Sequence, residues 1–101
     1  MSTSFNDFLH ELEAEARAES PEALAELEAF RLHFSLARQL AERRRAQRLT
    51  QKQLAERSGI DQAEISRIER GHANPTTATI GALTRALGVD VRLVPAGTAT
   101  A

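Results

Sequence analysis

Cysteine is absent from the chain. That excludes a disulfide framework, a CxxC redox pair and any thiolate-bound metal, and it suits a reducing compartment. No apolar run approaches the ~20 residues that a membrane-spanning helix needs. Ser2, Thr3 and Ser4 lead into an acidic amphipathic stretch, with no basic segment and apolar segment in sequence; no secretory signal is expected, and the expected location is cytoplasmic. His10, His33 and His72 are scattered, and there is no HExxH motif, glycine-rich phosphate loop or Ser/His/Asp spacing. Enzymatic chemistry, a metal and a cofactor are therefore not expected. His33, beside Phe30 and Phe34, reads as a packed or half-exposed helix residue rather than a ligand. Valine is confined to residues 89–94, and neither glycine nor proline occurs between Glu22 and Ser58. The first leaves room for one short strand and the second for one long helix.

What the chain does hold is helix former. At 101 residues and 11.1 kDa it has the size of one small domain with a single modest core. Ala, Leu, Glu and Arg, all favourable in helices, make up about half of it. The expected fold is all-α with a short C-terminal β-strand. The formal net charge of −1 conceals a division. Residues 1–34 carry eight acids against two bases, Arg17 and Arg31, a net of −6; residues 35–101 carry eleven bases against six acids, a net of +5. Such asymmetry points to an acidic arm joined to a basic nucleic-acid or membrane surface. Charged, solvated helix faces that serve only solubility are the plainer alternative.

Phe5, Phe8, Leu9, Leu12 and Ala16 follow the spacing of one helix face, with Glu11, Glu13 and Glu15 mostly off it. Ser20-Pro21-Glu22 has the form of an N-cap, an N1 proline and an acidic first turn. The helix it opens is apolar over a wide arc, with Ala23, Leu27, Phe30, Phe34, Ala37 and Ala41 in one row and Leu32, Leu36 and Leu40 in another. Unbroken over residues 21–48 it would be about 42 Å long; a bend near residues 33–35 is the alternative. Thr50 is placed to cap a helix reaching about Arg57, and Gly59 to make the turn after it. Asp61-Gln62-Ala63-Glu64 has capping-box spacing for a helix that closes at Gly71. Thr76 or Thr77 opens a last helix with Ile80, Leu83 and Leu87 on one face, ended by Gly88. Residues 89–94 read as the strand and residues 95–101 as a disordered tail.

Two short helices joined by a tight glycine turn, within a run of small helices, form the pattern of a helix-turn-helix. Ala55 is small enough to let the two helices cross closely, Gly59 makes the turn, and Leu54, Ile60, Ile65 and Ile68 fill the wedge. Gln62, Ala63, Ser66, Arg67 and Arg70 are left outside on the second helix. These types suit a major groove: glutamine pairs with adenine N6 and N7, arginine with guanine O6 and N7, and an alanine methyl meets the thymine methyl. Lys52 and the arginines around the motif include phosphate clamps. One recognition helix buries too little for operator-level specificity. A homodimer on a palindromic double-stranded DNA operator is therefore expected. Residues 89–94 paired across a twofold, and the apolar face of residues 21–40, are the two candidate dimer contacts.

Leu49-Thr50-Gln51-x-x-Leu54-Ala55-x-x-x-Gly59-Ile60, continued by Ile65-Ser66-Arg67-Ile68-Glu69-Arg70-Gly71, Asn74-Pro75, Leu83 and Ala86-Leu87-Gly88-Val89, resembles the Cro/C1 (XRE) helix-turn-helix family over about residues 36–89. The resemblance implies a lambda-repressor-like bundle and phosphate contacts from Gln51 and from a loop that includes His72 and Asn74. It further implies base readout by Gln62 and Arg67 and a buried ion pair between Arg44 and Glu69. Arg48 departs from the pattern, standing where the family usually has glycine or another good C-cap. Glu64 stands where a small hydroxyl residue is common, either capping its own helix or accepting from cytosine N4. Phage-type members commonly end in a further dimerising helix, which residues 89–94 do not supply.

Phe5-x-x-Phe8-Leu9 ahead of an acidic helix, the Ser-Pro-Glu helix start, the helix-turn-helix and the terminal Leu87-Gly88-Val89-x-Val91-x-Leu93-Val94 together resemble the Hig-type antitoxins of type II toxin–antitoxin pairs. That resemblance implies a small basic toxin of the mRNA-nuclease kind as partner, and repression of the shared operon. Phe5, Phe8, Leu12, Glu11, Glu13 and Glu15 are then the candidate toxin-binding residues, on an acidic arm that steers a basic partner. The expected division is an acidic helical arm over residues 1–34, a DNA-binding domain over residues 35–94 and a tail over residues 95–101. A stand-alone repressor of the same family, without a toxin, is the alternative.

Overall fold

Residues 4–97 are described by the computed structural model. They form α1 (Phe5–Glu19), α2 (Pro21–Ala46), α3 (Gln51–Ser58), α4 (Gln62–Glu69) and α5 (Thr77–Leu87). Ser20 serves two helices at once. Its amide donates to the Ala16 carbonyl at 3.0 Å and closes α1; its hydroxyl accepts from the Ala23 amide at 3.0 Å and opens α2, with Pro21 in the first turn. α1 folds back along the first half of α2, burying Leu9 and pairing Glu13 with Arg31. α2 is continuous through residues 33–35.

The second half of α2 joins α3, α4 and α5 around one core. Leu40, Leu49, Leu54, Ile65, Ile68, Leu83 and Leu87 are buried in it, with Leu36, Ala55, Ile60, Ala73, Ile80, Ala86 and Val89 packed against them. A fully buried leucine or isoleucine contributes about 1.5–3 kcal/mol, so the small body is held chiefly by these few side chains. α3 starts on a complete capping box: Thr50 Oγ1 accepts from the Gln53 amide at 3.0 Å, and Gln53 Oε1 accepts from the Thr50 amide at 2.8 Å. α5 is capped by Thr76, whose hydroxyl accepts from the Thr79 amide at 3.1 Å.

α2 ends two residues before Arg48 because the chain there turns left-handed, at φ 57. The Leu49 amide then donates back to the Arg44 carbonyl at 3.1 Å and the Arg48 amide to the Arg45 carbonyl at 2.9 Å, the two bonds of a Schellman close. α4 ends the same way around Gly71, with His72 donating to the Arg67 carbonyl at 2.8 Å and Gly71 to the Ile68 carbonyl at 3.0 Å. Glycine tolerates that conformation; arginine is strained in it.

Two sequence expectations are corrected. Residues 89–94 form no strand, and none occurs among the described residues. Val91 and Val94 are each 60% exposed and Leu93 fully so; apolar alternation marks a strand but supplies no neighbour for its backbone hydrogen bonds, and the chain offers none. The capping box at α4 is also absent. Asp61 occupies the N-cap position without a side-chain bond, while Glu64 is drawn to Arg67 at 2.5 Å. The expected disordered tail lies largely outside the described residues: Pro95, Ala96 and Gly97 are exposed and irregular, and residues 98–101 are not described.

Replacing Arg48 by glycine relieves the left-handed strain, partly offset by the greater freedom of glycine in the unfolded chain. A net gain of about 0.5–1 kcal/mol is expected, a rise in Tm of a few degrees. Thermal melting of Arg48→Gly checks it.

Candidate nucleic-acid interface

α4 is amphipathic and leaves one face exposed. Ile65 and Ile68 point into the core and are almost fully buried, whereas Gln62, Ala63, Arg67 and Arg70 are exposed and Ser66 half-buried. At 100° per residue, positions 62, 63, 66, 67 and 70 fall within an arc of about 140°, on the opposite side from the two isoleucines. The five expected base-reading residues are therefore brought together on a single face. Arg67 holds Glu64 in an exposed pair, and the Arg70 Nε donates to the Ser66 carbonyl at 3.2 Å. Glu64 is thus engaged by its own helix through an arginine rather than through a cap.

The orientation of that face is set by a buried anchor. Arg44, near the end of α2, reaches Glu69 at the end of α4 with a two-pronged contact, Nε to Oε2 at 2.7 Å and Nη2 to Oε1 at 2.9 Å. Its third nitrogen donates to the Leu49 carbonyl at 2.7 Å, and Gln51 at the start of α3 donates to Glu69 Oε1 at 3.0 Å. The two charged side chains are only 11% and 5% exposed. Three helices are tied at one point by planar, charge-assisted bonds. Burial alone pushes the Glu69 carboxyl up, but the hydrogen bonds from Arg44 and Gln51 and the charges of Arg44 and Arg45 outweigh it and hold its pKa below the usual glutamate range. The bond to Glu69 raises Arg44 in turn, against the opposing effect of burial.

The residues expected to hold phosphates are mostly exposed. Lys52, His72 and Asn74 are exposed, at the start of α3 and in the segment between α4 and α5. Gln51 is half-buried, its amide committed to Glu69 by one hydrogen. Arg43, Arg45, Arg48 and Arg57 are exposed nearby in sequence.

The arm residues divide. Phe5 and Phe8 remain exposed, their ring centroids 6.4 Å apart, as do Glu11 and Glu15. Leu12 is half-buried and Glu13 is taken up by Arg31. One residue that the sequence pattern left as a packed helix position has a larger part: His33 reaches the Gly71 carbonyl at 2.8 Å, across 38 residues. Its nearest sequence signal was the cluster with Phe30 and Phe34, which identified a packing site but not the partner. Among the described residues no three His, Asp or Glu side chains gather as a metal site, and no helix is long and apolar enough to cross a membrane.

Glu69→Gln removes the charge partner of a buried arginine and is expected to destabilise the fold by about 3–5 kcal/mol at neutral pH. A carboxyl whose pKa is depressed on folding stabilises above its unfolded value, near 4.5, and loses that contribution as pH falls through the lower folded value. The gap between wild type and variant therefore narrows below about pH 4.5. Denaturant unfolding over a pH series measures both.

A helix-turn-helix family model matches residues 40–94, from the buried end of α2 past α5. The chain is similar to uncharacterized HTH-type transcriptional regulators: y4dL of Sinorhizobium fredii, 38% identical over 60 residues that cover 59% of this chain and 31% of that protein; y4dJ of the same organism, 47% identical over 47 residues that cover 46% and 61%; and one of Haemophilus influenzae, 38% identical over 64 residues that cover 63% and 65%. It spans less than two thirds of the length of each. No solved structure matches it significantly. The buried Arg44–Glu69 anchor, the exposed arc of α4 and the match over residues 40–94 agree: the chain belongs to the helix-turn-helix family of the Cro/C1 type.

Proposed function

We propose that the chain is a sequence-specific DNA-binding repressor that acts as the antitoxin of a type II toxin–antitoxin operon. The observation that carries the DNA-binding part is the single exposed face of α4, with Gln62, Ala63, Ser66, Arg67 and Arg70 held by the Arg44–Glu69 anchor. α4 enters the major groove. Gln62 reads adenine, Arg67 and Arg70 read guanine edges, Ala63 meets a thymine methyl and Ser66 bonds either base type. Arg67 leaves Glu64 to do so; an exposed pair contributes about 0.2–1 kcal/mol, less than the 1–3 kcal/mol of a two-pronged base contact. Gln51 keeps a second amide hydrogen for a phosphate beyond the one given to Glu69, and Lys52, His72 and Asn74 complete the phosphate contacts. Two copies related by a twofold set two α4 helices on half-sites about one turn of DNA apart. An occupied promoter excludes polymerase, so repression requires no catalysis.

The antitoxin part rests on the arm. Residues 1–34 carry the net −6, and Phe5 and Phe8 stand exposed beside Glu11 and Glu15. Aromatic anchors in an acidic frame suit a small basic protein, attracted over distance by charge and held by the rings. Glu13 and Leu12 support the arm internally more than they face the partner.

Electrophoretic mobility shifts with the protein's own upstream DNA test the first part. Arg67→Ala is expected to lose about 1–3 kcal/mol of operator affinity and to relax one base position; equal affinity of the wild type for random DNA contradicts the reading. Co-expression with the adjacent reading frame tests the second. The double variant Glu11→Lys, Glu15→Lys is expected to slow association with a co-purified basic protein by about tenfold at physiological salt. An unchanged rate removes the arm from the interface, and no basic product from that frame favours a stand-alone repressor.

A further inference from the structure

α2 meets the helix-turn-helix at a second point, about three helical turns before Arg44 along its axis. His33 Nε2 lies 2.8 Å from the Gly71 carbonyl oxygen. A carbonyl only accepts, so Nε2 carries the hydrogen. The neighbouring Phe34 packs beneath the same residue: a Cβ on Gly71 would lie 3.6 Å from the Phe34 Cζ, on a backbone already at φ 74. Phe34 is backed by Phe30, their centroids 4.9 Å apart. The left-handed turn favours glycine here, while the space left by α2 would place a Cβ in ordinary van der Waals contact with Phe34.

The peptide unit that bears the Gly71 carbonyl also bears the His72 amide, and that amide donates to the Arg67 carbonyl of α4 at 2.8 Å. One planar unit is thus held at both edges, by α2 through His33 and by α4 through Arg67. Its orientation sets the direction in which the chain leaves α4, and hence where the exposed His72 and Asn74 stand. Without His33 the carbonyl edge is released and this peptide unit is hydrogen-bonded by α4 alone.

We propose that His33 is a positioning residue of the DNA interface: it holds the Gly71–His72 peptide so that His72 and Asn74 meet the phosphates while α4 lies in the groove. The inference rests on the DNA-binding reading above. Phosphate contacts carry no sequence information, so a displaced turn weakens binding to operator and to random DNA by the same factor.

The test compares the full chain with His33→Ala and His33→Gln, titrating each against its own upstream DNA and a random duplex, and following amide hydrogen exchange. Glutamine places a donor nitrogen near the position of the imidazole Nε2 and retains the bond. Expected are a loss of about tenfold on both duplexes for His33→Ala and affinity within about threefold of wild type for His33→Gln. Faster exchange of the His72 amide in His33→Ala, with the core amides of Leu54 and Ile65 unchanged, is the accompanying signature. Wild-type affinity in His33→Ala, a loss confined to the operator, or a glutamine variant as impaired as the alanine one overturns the proposal. If the wild type binds neither duplex, the DNA-binding reading fails. The exchange of His72 then still decides whether His33 holds the turn: acceleration supports it, and an unchanged rate overturns it.

Discussion

The bond between Arg44 and Glu69 is the constraint on which the rest of the molecule depends. A buried ion pair contributes little net stability against an apolar pair of the same shape, so its value here is geometric. The planar guanidinium serves α4 through Glu69 and the α2–α3 connection through the Leu49 carbonyl, while Gln51 brings α3 to the same carboxylate. Isoleucine and leucine packing alone permits small sliding between helices. A two-pronged contact with a fixed plane does not, and it sets the roll of α4 about its axis. The strained Arg48 belongs to the same device: its left-handed turn lets Leu49 fold back on Arg44, so local strain is offset by a satisfied buried arginine.

What was legible in the chain follows the range of each interaction. Helix starts at Ser20, Thr50 and Thr76 were readable because a cap and its recipient amide lie three residues apart. The exposed face of α4 was readable from the period of Ile65 and Ile68. The Arg44–Glu69 pair was not, since 25 residues separate the partners and no periodicity marks them; only family resemblance indicated it. His33 and Gly71 had no such aid. The two misread elements have a shared cause. At Asp61 a capping spacing was present, but Arg67 one turn on competed for Glu64. At residues 89–94 apolar alternation was present, but a strand is completed by a neighbour that sequence spacing does not name.

The division of charge gains a shape from the fold. α2 is one rod whose first half carries α1 and whose second half enters the core with α3, α4 and α5. The acidic arm and the basic body that carries α4 are therefore joined by a shared helix rather than by a flexible linker. The boundary drawn between residues 34 and 35 falls in the middle of that helix. Contacts from α2 to the reading unit occur at His33 and at Arg44, one on each side of that boundary. The arm is thus mechanically continuous, through α2, with the contacts that hold α4 and the turn after it.

In the proposed function α4, fixed by its buried anchor, reads a defined DNA sequence as part of a twofold pair. Hydroxyl-radical footprinting of the protein on its own upstream region at physiological salt tests this most directly. Two protected patches on one face of the duplex are expected, centred about 34–36 Å apart and persisting in excess random DNA. Protection that is uniform along the fragment, or that random DNA abolishes at equal concentration, would contradict it.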